Sequence, residues 1–406
     1  MPHDVPLITL MAGGLVLAFV FGTLANRLGM PPLIGYLLAG VLAGPYTPGF
    51  TGDSRVSEEL LELGVILLMF GVGLHFSFRD LLAVRRIAIP GAMAQIALAT
   101  LLGLGLGLAF GWSLGAGLVF GLALSVASTV VLLKALEDRG LIDSREGHIA
   151  VGWLIVEDLV MVVTLVLLPA VAGSLRGDAG PVDGMLLLEQ LGWTLLKVAA
   201  FVAVMLVGGR RVIPWVLERV VYTGSRELFR LGVLATALGV AYGASKLFGV
   251  SFALGAFFAG MVLAESEFSQ RAADETLPLR DAFSVLFFVA VGMLFDPMVL
   301  VRDTLAVAAT LLIIVLGKSV AAYLIVIAFR YPKLTAMTIS ASLAQIGEFS
   351  FILVAMGVAF ELLPSHGRDL ILAGALLSIL LNPLWFQLLD RYRARHPEIA
   401  AVPAAE

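Results

Sequence analysis

Thirteen apolar segments follow one another along this chain with hardly any polar sequence between them, and that pattern excludes a water-soluble fold. They lie at roughly 5–26, 31–44, 56–75, 87–110, 113–136, 148–172, 187–213, 226–247, 251–264, 280–295, 302–330, 334–361 and 367–390. A hydrocarbon core of about 30 Å is crossed by about 20 apolar residues in a helix. Pro31 to Gly44 and Ser251 to Ala264 are too short to cross unaided. Composition agrees with a lipid solvent: 60% of the 406 residues are hydrophobic and 14% charged, against about 25% charged in a soluble domain. The 43 glycines and 17 prolines suit membrane helices, which tolerate both better than soluble helices do. The chain has no cysteine, which excludes disulfides, iron–sulfur clusters and thiolate zinc. A net charge of −4 gives no sign of a nucleic-acid partner.

Charge sets the expected topology. The first segment has no basic residue ahead of its apolar run and has Arg27 behind it, so it reads as a span with an external N-terminus and not as a signal peptide. If thirteen segments alternate from there, 19 of the 26 Lys and Arg fall on the cytoplasmic side. Five (Arg55, Arg176, Lys246, Arg302 and Arg368) fall on the opposite side. This is a strong positive-inside bias, and removing either short segment scrambles it. The longest soluble stretches are expected at Gly173–Gly184 outside and Glu265–Arg280 inside. Residues 391–406 read as a short cytoplasmic tail, and no soluble domain is expected.

Five ionisable residues lie deep inside spans: Glu157, Asp158, Lys197, Lys318 and Glu348. At mid-bilayer such groups cost from about 3 to more than 10 kcal/mol and usually serve transport. Glu157 and Asp158 are chain neighbours and point about 100° apart on a helix. One is expected to face a cavity and the other to support it or to meet another helix. The bland alternative is a structural pair buried against Lys318 or Lys197. Lys318 sits in an apolar run, where a lone ammonium must deprotonate or find a carboxylate; Asp158 is the expected partner. For Lys197 a structural role is expected.

Two spans also carry interruption signals. Leu124-Ser-Val-Ala-Ser-Thr-Val-Val gathers Ser125, Ser128 and Thr129 in mid-span, and Ser340-Ala-Ser-Leu-Ala-Gln-Ile-Gly-Glu repeats the theme around Gln345, Gly347 and Glu348. Unwound backbone at membrane depth survives only where protein or a water-filled cavity covers it. A matched pair of such breaks in two halves of a chain points to a transport site. The alternative is that the hydroxyls only bond back to their own helices. Other motifs lead nowhere. Gly111-Trp-Ser-Leu-Gly lacks the strand–helix setting of a hydrolase elbow. His3, His75, His148, His366 and His396 form no cluster, and Gly103-Leu-Gly-Leu-Gly reads as helix packing.

Ala127-Ser-Thr-Val-Val-Leu-Leu-Lys-Ala-Leu-Glu-Asp-Arg, Gly152-Trp-Leu-Ile-Val-Glu-Asp-Leu-Val and Ala344-Gln-Ile-Gly-Glu-Phe-Ser-Phe, in that order, resemble the monovalent cation:proton antiporter-2 family, and within it the Kef-type potassium/proton antiporters. The resemblance implies an all-α polytopic membrane protein of about thirteen transmembrane helices with a sodium/proton-antiporter-like fold. It would contain inverted repeats and two interrupted, crossing helices. Dimer-domain helices are implied at about 1–80 and 226–295, a linking helix at about 187–220, and core-domain helices at about 87–172 and 302–390. The family's ion-binding aspartate falls on Asp158. Its hydroxyls fall on Ser128 and Thr129, with Ser125 beside them, and the cation would sit at Asp158 and Thr129. The charge-compensating lysine falls on Lys318, and a gate or supporting element on Gln345 and Glu348. Glu157 departs from the family, where this position is commonly Gln in Kef proteins, Asp in electrogenic sodium antiporters and Asn in electroneutral ones.

The expected activity is secondary active exchange of K+, ahead of Na+, for H+ by alternating access, in a bacterial inner membrane. No resident cofactor is implied. The partners implied are the lipid bilayer, a second copy of the chain, and a cytoplasmic nucleotide-binding regulatory domain lying outside these residues. A passive, ligand-gated cation channel using the same carboxylate is the alternative. A membrane module that only docks a regulator is a third reading, and an intramembrane enzyme fits worst because no nucleophile–base pair emerges.

Overall fold

The computed structural model describes residues 6–47, 54–75, 78–137, 139–142, 144–176 and 184–395. Among these residues there are eighteen α-helices, three π-helical turns and no strand. In chain order the helices are α1 (Pro6–Arg27), α2 (Pro32–Ala43), α3 (Ser54–His75), α4 (Phe78–Ala109), α5 (Leu114–Ser125), α6 (Thr129–Glu137), α7 (Arg145–Arg176), α8 (Gly184–Val204) and α9 (Arg210–Val221). They continue with α10 (Arg226–Gly243), α11 (Phe252–Ala264), α12 (Ser269–Met293), α13 (Val299–Arg302), α14 (Thr304–Leu312), α15 (Lys318–Ala328), α16 (Lys333–Ser342), α17 (Glu348–Ala359) and α18 (Ser365–Arg395). The π turns Met205–Gly209 and Ile313–Gly317 join α8 to α9 and α14 to α15, and Ala244–Phe248 extends α10.

Three of these helices start where a serine can cap them. Ser113, Ser225 and Ser251 accept the N–H groups of Ala116, Leu228 and Leu254 at 3.1, 3.2 and 3.3 Å, which satisfies backbone donors that the first turn leaves over. Six helices are long and apolar enough to cross a membrane, or seven if the bent pair Ser269–Thr276 and Pro278–Met293 is one span. Four shorter apolar helices accompany them: Pro32–Ala43, Leu114–Ser125, Phe252–Ala264 and Phe349–Ala359. The count of thirteen is therefore matched only in part, largely because two expected crossings are split at breaks and two are short. Whole helix faces are apolar and uncovered, as with Val16, Phe19 and Val20 on α1 and Leu305, Leu312, Leu316 and Val320 along α14–α15. Water would not leave such stripes exposed, whereas lipid would.

Three boundaries differ from expectation. Glu265–Arg280 is largely helical: α12 runs from Ser269 and bends by 48° around Pro278, where the missing N–H lets the helix kink. The first residues expected as tail, 391–395, are the end of α18, which continues to Arg395. There Arg393 donates to the Thr338 hydroxyl at 3.0 Å, and Arg393 and Arg395 lie in the helix's last turn, where cations are favoured. The stretch Gly173–Gly184 is helical to Arg176, and 177–183 lies outside the described residues. The range 187–220 lies within the unbroken helical run α8–π–α9.

Two groups of helices pack among themselves. One contains α1, α2, α3, α10, α11 and α12; the other contains α4, α5, α7 and α14–α18. Glycine lets backbones touch in both. A Cβ at Gly73 would lie 2.2 Å from the Phe257 carbonyl oxygen across α3–α11, and one at Gly103 would lie 2.4 Å from Gly121 Cα across α4–α5. Close approach of this kind drives helix association in lipid, so the Gly103 run is a packing motif. Between the groups, α7, α8, the following π turn and α11 enclose a cavity of about 510 Å³ lined by apolar side chains such as Val162, Val202 and Phe258. The ion pair of Arg210 and Glu265 stands at its edge.

Candidate ion-binding site

Both expected interruptions exist. α5 ends at Ser125 and α6 begins at Thr129; α16 ends at Ser342 and α17 begins at Glu348. The breaks cross, with the Gly347 N–H donating to the Val126 carbonyl at 3.3 Å. The Gly347 backbone is extended, so what demands glycine there is room: a Cβ would sit 2.5 Å from Ser128 Cα.

Breaking two helices in a dry interior frees backbone groups, and each such group must find a partner. In the first break, the Ala127 N–H donates to Glu157 Oε2 at 2.8 Å, and the Ser128 N–H donates to Gln345 Oε1 at 2.8 Å. The carbonyl of Ala123 accepts from Ser350 Oγ at 2.6 Å. That of Ser125 accepts from Gln95 Nε2 at 2.8 Å, and the Trp153 indole donates to Gln95 Oε1 at 3.1 Å, which holds this amide in place. The Gln345 amide works as a strand-like clamp, since its Nε2 also donates to the carbonyls of Ser128 and Ser342 at 3.2 and 3.3 Å. In the second break, Lys318 Nζ donates to the Gln345 carbonyl at 2.9 Å, and Asn382 Nδ2 donates to that of Ala341 at 2.9 Å.

The electrostatics follow from helix polarity. The carboxylate of Glu157 meets an N–H at the start of α6, the positive end of a helix, and the Lys318 ammonium meets a carbonyl just past α16, a negative end. Each charge thus complements the local dipole. Glu157 and Lys318 are both wholly enclosed and attract one another. The acid facing Lys318 is therefore Glu157, where the sequence suggested Asp158. The hundred-degree offset explains the exchange of roles: Glu157 turns into the crossing, while Asp158, 8% exposed, accepts from Thr129 Oγ1 at 3.3 Å. Glu157 Oε1 has no hydrogen-bond partner among the described residues.

Of the expected site residues, the crossing gathers Glu157, Ser128, Lys318 and Gln345, with Asp158 and Thr129 on its rim. Ser128 Oγ accepts the Val131 N–H at 3.4 Å, capping α6. Ser125 turns back to the Leu122 carbonyl of its own helix at 2.7 Å. Glu348 opens α17, and its side chain lies outside what the structure describes. Lys197 is exposed and apart from the crossing. Sequence reasoning missed Gln95, Ser350 and Asn382. The available signal was an uncharged amide or hydroxyl inside an apolar run, which attention to ionisable residues passed over.

Residues 15–389 match the transmembrane model described as "Sodium/hydrogen exchanger". The chain is 65% identical over 395 residues to YbaL of Escherichia coli (strain K12), a protein named for cation/proton antiport, and the match covers 97% of this chain and 70% of YbaL. It is 34% identical to "K(+) efflux antiporter 4" of Arabidopsis thaliana, over 89% of this chain and 60% of that protein's length. Among solved structures, the sodium proton antiporter MjNhaP1 from Methanocaldococcus jannaschii at pH 8 has the same fold. The TM-score is 0.69 at 18% identity, covering 95% of this chain and 98% of that one. The chain thus belongs to the sodium/hydrogen exchanger family and is a transporter, not an enzyme.

Proposed function

We propose that this chain exchanges a monovalent cation, K+ in preference to Na+, for protons, with both ligands competing for the Asp158 carboxylate. The observation that carries the reading is the division of labour between two adjacent acids. Glu157 is fully enclosed, bonded to the break and offset by Lys318, whereas Asp158 keeps a small exposure and a hydroxyl neighbour, Thr129. A carboxylate, a hydroxyl and nearby carbonyls make an oxygen shell suited to an alkali cation. When the carboxyl is protonated that shell loses its charge, so one ligand displaces the other. The K+ preference is supported by the Arabidopsis relatives named as K(+) efflux antiporters.

Because Glu157 and Lys318 offset one another, Asp158 is the group whose charge changes in the cycle, and the exchange is one proton for one cation. Alternating access moves the helices of 87–172 and 302–390 against those of 1–80 and 226–295, with 187–220 as the link. The apolar cavity between α7 and α11 supports a seam that can slide. The protein would work as a homodimer with thirteen crossings, N-terminus outside, in a bacterial inner membrane. It would serve pH homeostasis under a nucleotide-binding regulatory partner.

Proteoliposomes test this. A K+ gradient should drive proton movement across the vesicle wall, with little dependence on a clamped membrane potential. Asp158→Asn should reduce it to the empty-vesicle level while leaving folding intact. Cation-driven proton flux that persists in Asp158→Asn refutes the mechanism, and K+ leakage without proton movement identifies a channel instead.

A further inference from the structure

A second polar cluster plays no part in this exchange. Arg86 on α4, Arg145 and His148 in the first turn of α7, and Tyr331 after α15 line an open cavity of about 570 Å³. It lies at the end of the molecule that the charge bias assigns to the cytoplasm, and Ile87 and Ile149, both buried, form its apolar floor. The three basic side chains are exposed, and among the described residues none of them has a carboxylate partner. Other arginines assigned to that side do have one: Arg139 with Asp390, Arg210 with Glu265, and Arg230 with Glu275.

Two features make the cluster costly as it stands. Cations in the first turn of α7 oppose the positive end of the helix dipole. Arg330, beside Tyr331, holds φ +62° at the C-terminal turn of α15, a left-handed position where glycine is the usual choice and where another residue is strained by about 1–2 kcal/mol. The Arg145 guanidinium lies 4.8 Å from the Tyr331 ring centroid, a contact that restrains its long side chain. An anion among these groups would relieve the repulsion. The surface below says which kind. Ile89 and Met93, three and seven residues after Arg86 on α4, are exposed, so an aliphatic stripe leaves the cavity along the same helix face.

We propose that this cavity seats the phosphodiester headgroup of an anionic phospholipid, with the acyl chains lying along the Ile89–Met93 stripe. Basic pockets between membrane helices on the cytoplasmic side recognise lipid phosphate. Here the headgroup bridges α4, α7 and the turn before α16, elements that pack in one core with Trp153.

The test is thermal unfolding of the purified chain in detergent, titrated with dioleoylphosphatidylglycerol or, as the neutral control, dioleoylphosphatidylcholine. Phosphatidylglycerol should raise Tm and phosphatidylcholine should not. Arg86→Gln and Arg145→Gln should each weaken the phosphatidylglycerol response about fivefold, while Arg211→Gln and Arg219→Gln, which remove exposed charges on α9, should leave it unchanged. Native mass spectrometry of retained phosphatidylglycerol reads the same difference if a variant's own Tm moves. Equal responses in all four variants, or none in the wild type, overturn the proposal. Stabilisation by inorganic phosphate matching that of the lipid also overturns it, in favour of a free anion.

Discussion

The two helix breaks meet the same difficulty with opposite charges. Around 126–128 the loose groups include N–H donors at the head of α6, and an acid, Glu157, meets one of them. Around 343–347 the loose groups include carbonyls past the end of α16, and a base, Lys318, meets one of them. In the second break the described side chains of lysine, glutamine and asparagine hold backbone carbonyls. The first has in addition a hydroxyl turned to a second buried acid, Thr129 on Asp158. A buried charge near a helix break is therefore weak evidence of an ion site, because one such charge can be consumed in holding the break. On the proposed reading, the ion site is marked by the acid that remains once the backbone is satisfied.

Separating the two charged anchors breaks this comparison most severely. Lys318→Ala leaves Glu157 enclosed and uncompensated, which should cost about 3–5 kcal/mol and lower the thermal midpoint sharply. In the double variant Glu157→Gln/Lys318→Met the glutamine still accepts from the Ala127 N–H and no net charge stays buried, so most of the stability should return. Proton–cation exchange should return with it, since Asp158 is untouched. A Lys318→Ala protein as stable as the wild type would show that the pair holds nothing together.

The contact between the breaks is the next point of attack. At Gly347 an alanine Cβ would lie 2.5 Å from Ser128 Cα, and backbone cannot move aside as a flexible side chain can. Gly347→Ala should cost about 1–3 kcal/mol through overpacking and slow transport by prising the breaks apart. Gly105→Ala sharpens the contrast: it lies inside α4 with nothing within 4 Å, and it should be neutral or stabilising by up to about 1 kcal/mol. Equal melting shifts in the two variants would rule out a special role for the crossing.

Much of this was readable in sequence, for reasons that differ by residue. Ser125–Thr129 and Gln345–Gly347 announced breaks because clustered hydroxyls, an amide and a glycine are poor choices inside an apolar helix. Glu157 and Asp158 announced a site because lipid penalises both. Which acid Lys318 would meet was hidden, since it depends on how α7 is rotated against α15 and not on spacing. Gln95 and Asn382 escaped notice because a neutral amide carries only a modest cost in a span, yet each satisfies a carbonyl of a different helix. The length of α18 and the helical start of α12 were obscured by charged residues, which on an exposed helix are solvated as easily as in a loop.

The finest test concerns the one feature that separates the first break from the second. Thr129→Val removes a hydroxyl that donates to Asp158 at 3.3 Å and keeps the β-branched shape at the first position of α6. A hydrogen bond to a charged group contributes about 1.5–3 kcal/mol and a neutral one about 0.5–1.5 kcal/mol, and the length here favours the weaker range. The hydroxyl oxygen would also be a cation ligand, so the cation-bound form loses a ligand while the protonated form loses only a neutral bond. Half-saturating K+ for proton release should therefore rise about fivefold, with the maximal rate and thermal midpoint nearly unchanged. Ser342→Ala, at the last residue before the second break, removes a hydroxyl that bonds to the Thr338 carbonyl of its own helix at 2.8 Å and should leave K+ saturation as it was. If both substitutions shift K+ saturation alike, the breaks are equivalent, and the assignment of the cation to the Asp158 side fails.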